Sequence, residues 1–338
     1  KLHLLYLPAP SHTELVFTEY WWSRLHRVAD VVEWERDVPC TSENLAQRIG
    51  EFEVLVTAWG SPLLTEVVLR NAARLRLIAH AAGSVKFMLS QEVVEQYLIP
   101  RGIQVFSGNG GIALNVAEAT VGMMIMGVRR WMDHALAYRQ RGVWRDPGIP
   151  LNGQYLLGAT VGLVSCSTVA REVIRLLRPF RTRILVYDPF LLAQEARRMH
   201  LQLVDLETLF RKSHIVSVHT PLLPETEGLI RAEHLRLLRE GSALVNTSRG
   251  KVIDHTALLE EARTGRFTAV LDVTDPEPLP PDHPLRELPN VIVLPHIAGA
   301  GYYGYHRIGE LLVRAVESAG KELPFEGEVP LHRYERIA

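Results

Sequence analysis

The sequence predicts an α/β protein of two domains, each built on a parallel sheet with helices over both faces. Three observations carry this. At 338 residues the chain is longer than one hydrophobic core usually organises. Short Val/Ile/Leu-rich runs alternate with amphipathic stretches, the pattern of strands buried on both faces and joined by helices. Two glycine-rich spots, GNGG at 108–111 and AGAG at 298–301, bracket a central block, as when one domain is inserted into another with a hinge at each crossing.

The elements follow in order. LHLLYL, VLVTAW, LRLIAHAA and IQVFSG read as strands of the first domain, and LTEVVLRNAARL as a helix between two of them. IALNVAEATVGMMIMGVRRWMDHALAYRQRGVW then reads as helix throughout, and its apolar run at 121–128 is too short to cross a bilayer. TVGLVSC, RILVYDP, HIVSVHT, SALVNTS, FTAVLDV and VIVLPH read as the strands of the second domain. VAREVIRLLRPF and ALLEEARTG are helices among them, and YHRIGELLVRAVESAG is a last helix. The expected division is 1–108 with 302–338 for the discontinuous domain and 109–301 for the inserted one.

Composition excludes several classes. Hydrophobic residues make up 47% and charged residues 22%, ordinary for an ordered soluble protein. A net charge of −1 offers no basic field for nucleic acid or an anionic membrane, so neither is expected as a partner. Cys40 and Cys166 form neither a disulfide framework nor a zinc motif. The expectation is therefore no metal and a reducing, cytoplasmic setting. The opening KLHLLYLPAP has too short an apolar run for a signal peptide.

Chemistry enters at VGLVSCSTVA, 161–170. Strand, loop, helix and the strand RILVYDP make one βαβ unit, and the second strand ends in Asp188. An acidic residue at that distance accepts hydrogen bonds from an adenosine ribose in dinucleotide-binding folds. The pyrophosphate would lie on the free N–H groups at the helix start, around Ser167, Thr168 and Val169. The glycine positions of G-x-G-x-x-G hold Ser165, Ser167 and Ala170. All three are small. A positive φ at Ser165 costs roughly 1 kcal/mol. The reading is a working loop that has lost its optimum, with binding weakened a few-fold.

Three further motifs sit at strand ends, where open α/β sheets place ligands: VNTSRG with Arg249, LDVTDPEP with Glu277 and LPHIAG with His296. Taken singly, each has a plain reading as a surface arginine, a loop carboxylate or a satisfied histidine. As a set they suit a 2-keto acid. Arginine holds a carboxylate bidentately and orients the carbonyl. A histidine protonates the carbonyl oxygen as hydride reaches carbon, and a carboxylate on its other nitrogen fixes the tautomer.

At this point the chain resembles the D-isomer-specific 2-hydroxyacid dehydrogenase family, the group of phosphoglycerate, glyoxylate and formate dehydrogenases. RGIQVFSGNGGIALNVAEAT, VSVHTPLLPETEGLI, ALVNTSRGKVIDHTALLEEARTG, AVLDVTDPEPLP and VIVLPHIAGA carry the likeness, over nearly the whole chain. The resemblance implies two Rossmann-like domains, the discontinuous one flavodoxin-like and substrate-binding, the inserted one NAD-binding. It places the catalytic trio on Arg249, Glu277 and His296. It implies that NAD is lined by His219, Thr220, Pro221, Thr247, Ser248, Arg249, Asp272, His296, Ala298 and Gly299, beside Ser167, Thr168, Val169 and Asp188. It implies that the N–H groups of Gly83, Ser84 and Val85 in AHAAGSVK take the substrate carboxylate, with Arg249 and His296. The substrate is then a small 2-hydroxy or 2-keto acid, and the long helix from Ala113 resembles the family's dimer element, so a homodimer is expected.

Three positions depart from the family pattern. The fingerprint is SCSTVA, the usual glycine after the βαβ helix is Arg181, and AGAGYYGY follows His296 where an Ala-Thr pair is common. The last change puts Tyr302, Tyr303 or Tyr305 near the substrate end. A second function class, an NAD(H)-binding interaction or regulatory protein without turnover, shares the fold; turnover with keto acids separates the two.

Overall fold

The computed structural model describes residues 1–336 except 152, 320 and 322. The chain divides into two compact units, Lys1–Asn115 with Ala300–Ala338, and Val116–Gly299.

The first unit holds a five-stranded parallel sheet of β1 (Leu2–Tyr6), β2 (Ala29–Glu33), β3 (Val54–Thr57), β4 (Leu77–His80) and β5 (Gln104–Ser107). Their order, β2-β1-β3-β4-β5, is that of a flavodoxin-like doubly wound sheet. Alternate side chains feed two cores. Leu5, Leu55, Ile78 and Val105 face one side. Leu4, Val54, Val56, Leu77, Ala79 and Phe106 face the other. This two-sided burial is why these strands read as continuous apolar runs. The edge strand β2 escaped the sequence reading. ADVVE follows the helix Glu19–Val28 without a break and only Ala29 is fully buried.

The second unit holds seven parallel strands: β6 (Thr160–Val164), β7 (Arg183–Tyr187), β8 (Gln202–Leu203), β9 (Ile215–Val218), β10 (Ser242–Asn246), β11 (Phe267–Leu271) and β12 (Val291–Val293). The order β12-β11-β10-β9-β6-β7-β8 reverses direction between β6 and β9, the switch point at which such sheets bind dinucleotides. Two cores again lie on opposite faces, one with Val216, Val218, Leu244 and Leu271, the other with Val161, Leu163, Val245 and Val270. The two-residue β8 was also missed, being too short to show a period.

Three expectations need correction. The inserted unit starts at 116 and ends at 299, where 109 and 301 were expected. The first turns of the helix Asn109–Arg129 pack with the helix Tyr302–Ala319: a Cβ at Gly111 would stand 2.5 Å from Gly304 O. Asn115 seals that contact, donating to Gly301 O at 2.7 Å and accepting from Gly304 N at 3.0 Å. The long helical run is two helices, because Arg130 turns left-handed at φ 51° before Trp131–Arg141. By length and composition Asn109–Arg129 is apolar enough to cross a membrane, which the short run at 121–128 did not suggest. However, 61% of its apolar window is buried inside the protein, with Met123, Met124 and Val128 in the core. The last helix ends within the described residues at Ala319, and Gly320 of the expected run lies outside them, as do 322, 337 and 338.

Candidate active site

The loop after β6 is shaped by its backbone. Ser165 sits at φ 79° and Arg181, ending the same βαβ turn of structure, at φ 52°. Both residues thus adopt the left-handed conformation without being glycine. Ser167 caps the helix Thr168–Leu177, its Oγ accepting from Ala170 N at 3.4 Å. Thr168 and Val169 keep first-turn N–H groups that have no partner within the helix, and the helix dipole favours an anion there. Asp188 closes the loop: its Oδ2 accepts from Cys166 N at 2.7 Å and Ser165 Oγ at 3.3 Å, and its Oδ1 from Phe190 N at 2.8 Å. Burial pushes the Cys166 thiol pKa up, so it stays neutral.

Across the switch point, Val164 O accepts from His219 N at 2.9 Å and Thr220 Oγ1 at 3.1 Å, which ties the end of β9 to the loop. His219 is 4% exposed, and neither ring nitrogen has a hydrogen-bond partner. Burial pushes its pKa down to about 3, so the ring is neutral, one donor and one acceptor both unused. An orphan of this kind is costly unless a ligand meets it. With the free N–H groups at the helix start, it fits a dinucleotide.

The second corner lies at the ends of β10, β11 and β12. Buried Asn246 folds the turn that carries Arg249. Its Oδ1 accepts from Ser248 N and Oγ at 3.0 and 2.9 Å, and its Nδ2 donates to Arg249 O at 3.0 Å. Thr247 Oγ1 is 3.0 Å from Thr120 Oγ1. The Arg249 guanidinium is exposed and donates to Ser248 O at 2.7 Å. Gly250 allows the next strand-end loop to approach, since a Cβ there would stand 2.0 Å from Thr274 O.

His296 is in the left-handed region at φ 55°, and Asp272 explains how it is held. Asp272 is 2% exposed. Its carbonyl accepts from His296 N at 2.9 Å, its Oδ1 from Ile297 N at 2.8 Å and its Oδ2 from Ala298 N at 2.9 Å. Three consecutive N–H groups on one residue outweigh a backbone cost of roughly 1–2 kcal/mol. The ring is then placed with Nδ1 2.5 Å from Glu277 Oε1. Since the carboxylate accepts, Nδ1 carries the proton, and Nε2 is left facing out on a half-exposed side chain.

In the first unit, the loop after β4 has its carbonyls tied down. Ala81 O is 2.8 Å from His12 Nε2, and Gly83 O accepts from Ser107 Oγ at 2.7 Å. Among the described residues, the N–H groups of Gly83, Ser84 and Val85 donate to no protein acceptor. Half-exposed Trp59 meets His12 edge-on at 5.3 Å and Tyr305 at 6.0 Å. Tyr302 and Tyr303 are exposed, so of the three tyrosines it is Tyr305 that stands beside this group. His12 and Trp59 were not singled out from sequence. A lone histidine and a tryptophan far from AHAAGSVK in the chain carry no local signal, and only the sheet brings them there.

A family model described as "D-isomer specific 2-hydroxyacid dehydrogenase, NAD binding domain" matches residues 121–298. A glyoxylate reductase of Thermofilum pendens is 34% identical over 91% of this chain and 89% of its own. A hydroxypyruvate reductase of Thermotoga maritima is 32% identical over 86% and 92%. Among solved structures, a phosphoglycerate oxidoreductase from Rhizobium etli superimposes with a TM-score of 0.83 at 25% identity, covering 98% and 99% of the two chains. The chain belongs to the D-isomer specific 2-hydroxyacid dehydrogenase family and is an NAD-dependent oxidoreductase that moves hydride between 2-hydroxy and 2-keto acids.

Proposed function

We propose that this protein reduces a small 2-keto acid to the D-2-hydroxy acid, with His296 as acid, Glu277 as its partner and Arg249 as the cation that binds substrate. The observation that carries the reading is the 2.5 Å contact between His296 Nδ1 and Glu277, one strand along from the Arg249 turn. When bound, NADH supplies the hydride. Thr168 and Val169 hold its pyrophosphate through their N–H groups, beside Ser167. Asp188 takes its ribose hydroxyls, and His219, Thr220, Pro221, Thr247, Ser248, Asp272, Ala298 and Gly299 line the rest. Arg249 pairs with the substrate carboxylate and polarises the carbonyl. His296 delivers the Nε2 proton to the carbonyl oxygen, and Glu277 stabilises the charged ring before that transfer. The unpaired N–H groups of Gly83, Ser84 and Val85 support carboxylate binding by the first unit. Relatives named glyoxylate reductase and hydroxypyruvate reductase support small keto acids as the substrate class.

Exposed Trp131, Tyr138, Trp144, Leu151, Tyr155 and Leu157 lie in and after the second part of the long helical segment, which supports a homodimer formed there. Two free cysteines fit a cytoplasmic setting, and the near-zero charge speaks against nucleic-acid and membrane partners. The test is NADH oxidation with glyoxylate, pyruvate, hydroxypyruvate, phenylpyruvate and 3-phosphohydroxypyruvate. Turnover with at least one is expected, and none at millimolar concentrations sinks the reading. The same assay with NADPH checks Asp188, which would repel a 2′-phosphate; equal use of NADPH overturns that assignment.

A further inference from the structure

Two loops must keep their spacing for the proposed chemistry, the turn with Arg249 and the loop with Glu277. They run side by side. Gly250 presses against Thr274, where a Cβ would stand 2.0 Å from the carbonyl oxygen. Five residues on, the His255 ring lies between the two segments. Its Nδ1 is 3.0 Å from Ile253 O, and its Nε2 is 3.1 Å from Asp275 N. A carbonyl can only accept and an amide can only donate. The ring must therefore be neutral, with the proton on Nδ1 and the lone pair of Nε2 turned to Asp275. The backbone of His255 is fixed independently, at the first position of the helix His255–Ala262, whose cap Asp254 accepts from Ala257 N at 3.0 Å.

We infer that His255 is a positioning residue: as the Nδ1-protonated tautomer it locks the Asp275–Glu277 loop to the Arg249 segment and so sets Glu277 against His296. The inference rests on the reading of Glu277 and His296 as the acid and its partner. Among the described residues, His255 hydrogen-bonds to neither. It acts through two residues of backbone, from the Asp275 amide to the Glu277 side chain, on the 2.5 Å contact at His296 Nδ1. Nothing in the sequence marks it, for HTALLEEA reads only as the start of a helix.

Protonation of His255 would remove the acceptor and release the loop. Burial, the largest influence, lowers the pKa of His255; His283 pushes the same way, and the bond to Ile253 O together with Asp275 and Asp254 opposes it. The neutral form thus holds above the folded pKa, and the brace fails as pH falls through a value below the ordinary imidazole one. The parent should lose kcat there more steeply than a variant whose residue 255 cannot titrate.

The test compares His255→Ala, His255→Asn and His255→Gln by steady-state kinetics, NADH titration and thermal unfolding. Glutamine places an oxygen near the Nε2 position and keeps an acceptor for Asp275 N, whereas asparagine mimics only Nδ1. The alanine and asparagine variants should lose on the order of 10-fold in kcat, since small misplacements of catalytic groups cost that much or more. Their Kd for NADH should stay within about twofold of the parent, a shift of less than a tenth of the binding energy. The glutamine variant should keep most of the rate and show a flatter acid limb. Alanine at the parental rate, or glutamine as impaired as alanine, overturns the inference. So does a loss of kcat matched in all three by the same loss of NADH affinity and thermal midpoint. A parent that reduces no keto acid sinks the functional reading instead. Nitrogen-15 spectra of the histidine rings then decide separately, and an Nε2-protonated His255 overturns the brace.

Discussion

The loop after β6 and the corner around His296 sit at strand ends of one sheet, yet they are built from different materials. The loop depends on backbone. Ser165 and Arg181 hold φ values of 79° and 52° without glycine, and the N–H groups of Thr168 and Val169 point where any strand-to-helix turn would send them. The corner depends on side chains. Asn246, Asp272, Glu277 and His296 each place or meet a named partner within 3.0 Å, and replacing one leaves another without its partner. A backbone device tolerates drift in sequence at a modest energetic cost. A side-chain device does not, because each partner must be present to fill its place in the network.

This contrast predicts a ranking of effects. The largest belongs to the corner. His296→Ala should cost on the order of 10² to 10⁴ in kcat while NADH binding in a fluorescence titration stays close to the parent's. A variant that reduces keto acids at the parental rate would remove His296 from the role.

Next comes a point in the corner where two backbone segments pack closely. Gly250→Ala forces a Cβ to within 2.0 Å of Thr274 O, so the two loops must part. Overpacking of this kind costs roughly 1–3 kcal/mol, and urea unfolding should show it together with a lower kcat. Unchanged stability would mean that the loops separate freely and that their spacing is not enforced.

Acid should act on both units through buried histidines outside the corner. Burial holds His219 in the second unit and His80 in the first neutral down to a pKa of about 3. Unfolded histidine protonates near pH 6.5, so between these values the unfolded chain binds more protons and stability falls as pH falls. The sign is destabilisation on acidification, up to roughly 1.4 kcal/mol per pH unit for each group. Urea unfolding at pH 7, 6 and 5 measures it. His219→Leu should flatten the dependence, and an identical slope would show that His219 is not the source.

The smallest effects belong to the loop. Ser165 holds its positive φ without being glycine, at a conformational cost of roughly 1 kcal/mol. Ser165→Gly and Arg181→Gly should each change stability by about 1 kcal/mol or less, the serine change partly offset by loss of its 3.3 Å contact to Asp188. Ser165→Gly should tighten Kd for NADH by a few-fold at most, the size that about 1 kcal/mol allows. A tenfold tightening in Ser165→Gly would show that the loop rearranges on binding.

Much of the architecture was legible because buried parallel strands are apolar on both faces, and such runs stand out: four of the five strands in the first sheet and six of the seven in the second read directly. The missed ones, β2 and β8, are edges, where one side is open and the pattern is diluted. The domain crossing was placed early, since GNGG looks like a hinge, whereas the fit of Gly111 against Gly304 keeps the first helical turns with the smaller sheet.

What the sequence by itself determined is what short-range rules govern: the βαβ unit with Asp188 at its end, the order of apolar runs, and the family blocks that carry Arg249, Glu277 and His296. Only the tertiary structure decided which groups meet. It brought Asp272 under the three amides of 296–298, His12 onto Ala81 O, Trp59 beside Tyr305, and His255 onto Asp275 N. The reason is physical. A strand or helix is specified by neighbours a few residues away, but hydrogen bonds between loops depend on strand order and register, which no local pattern encodes.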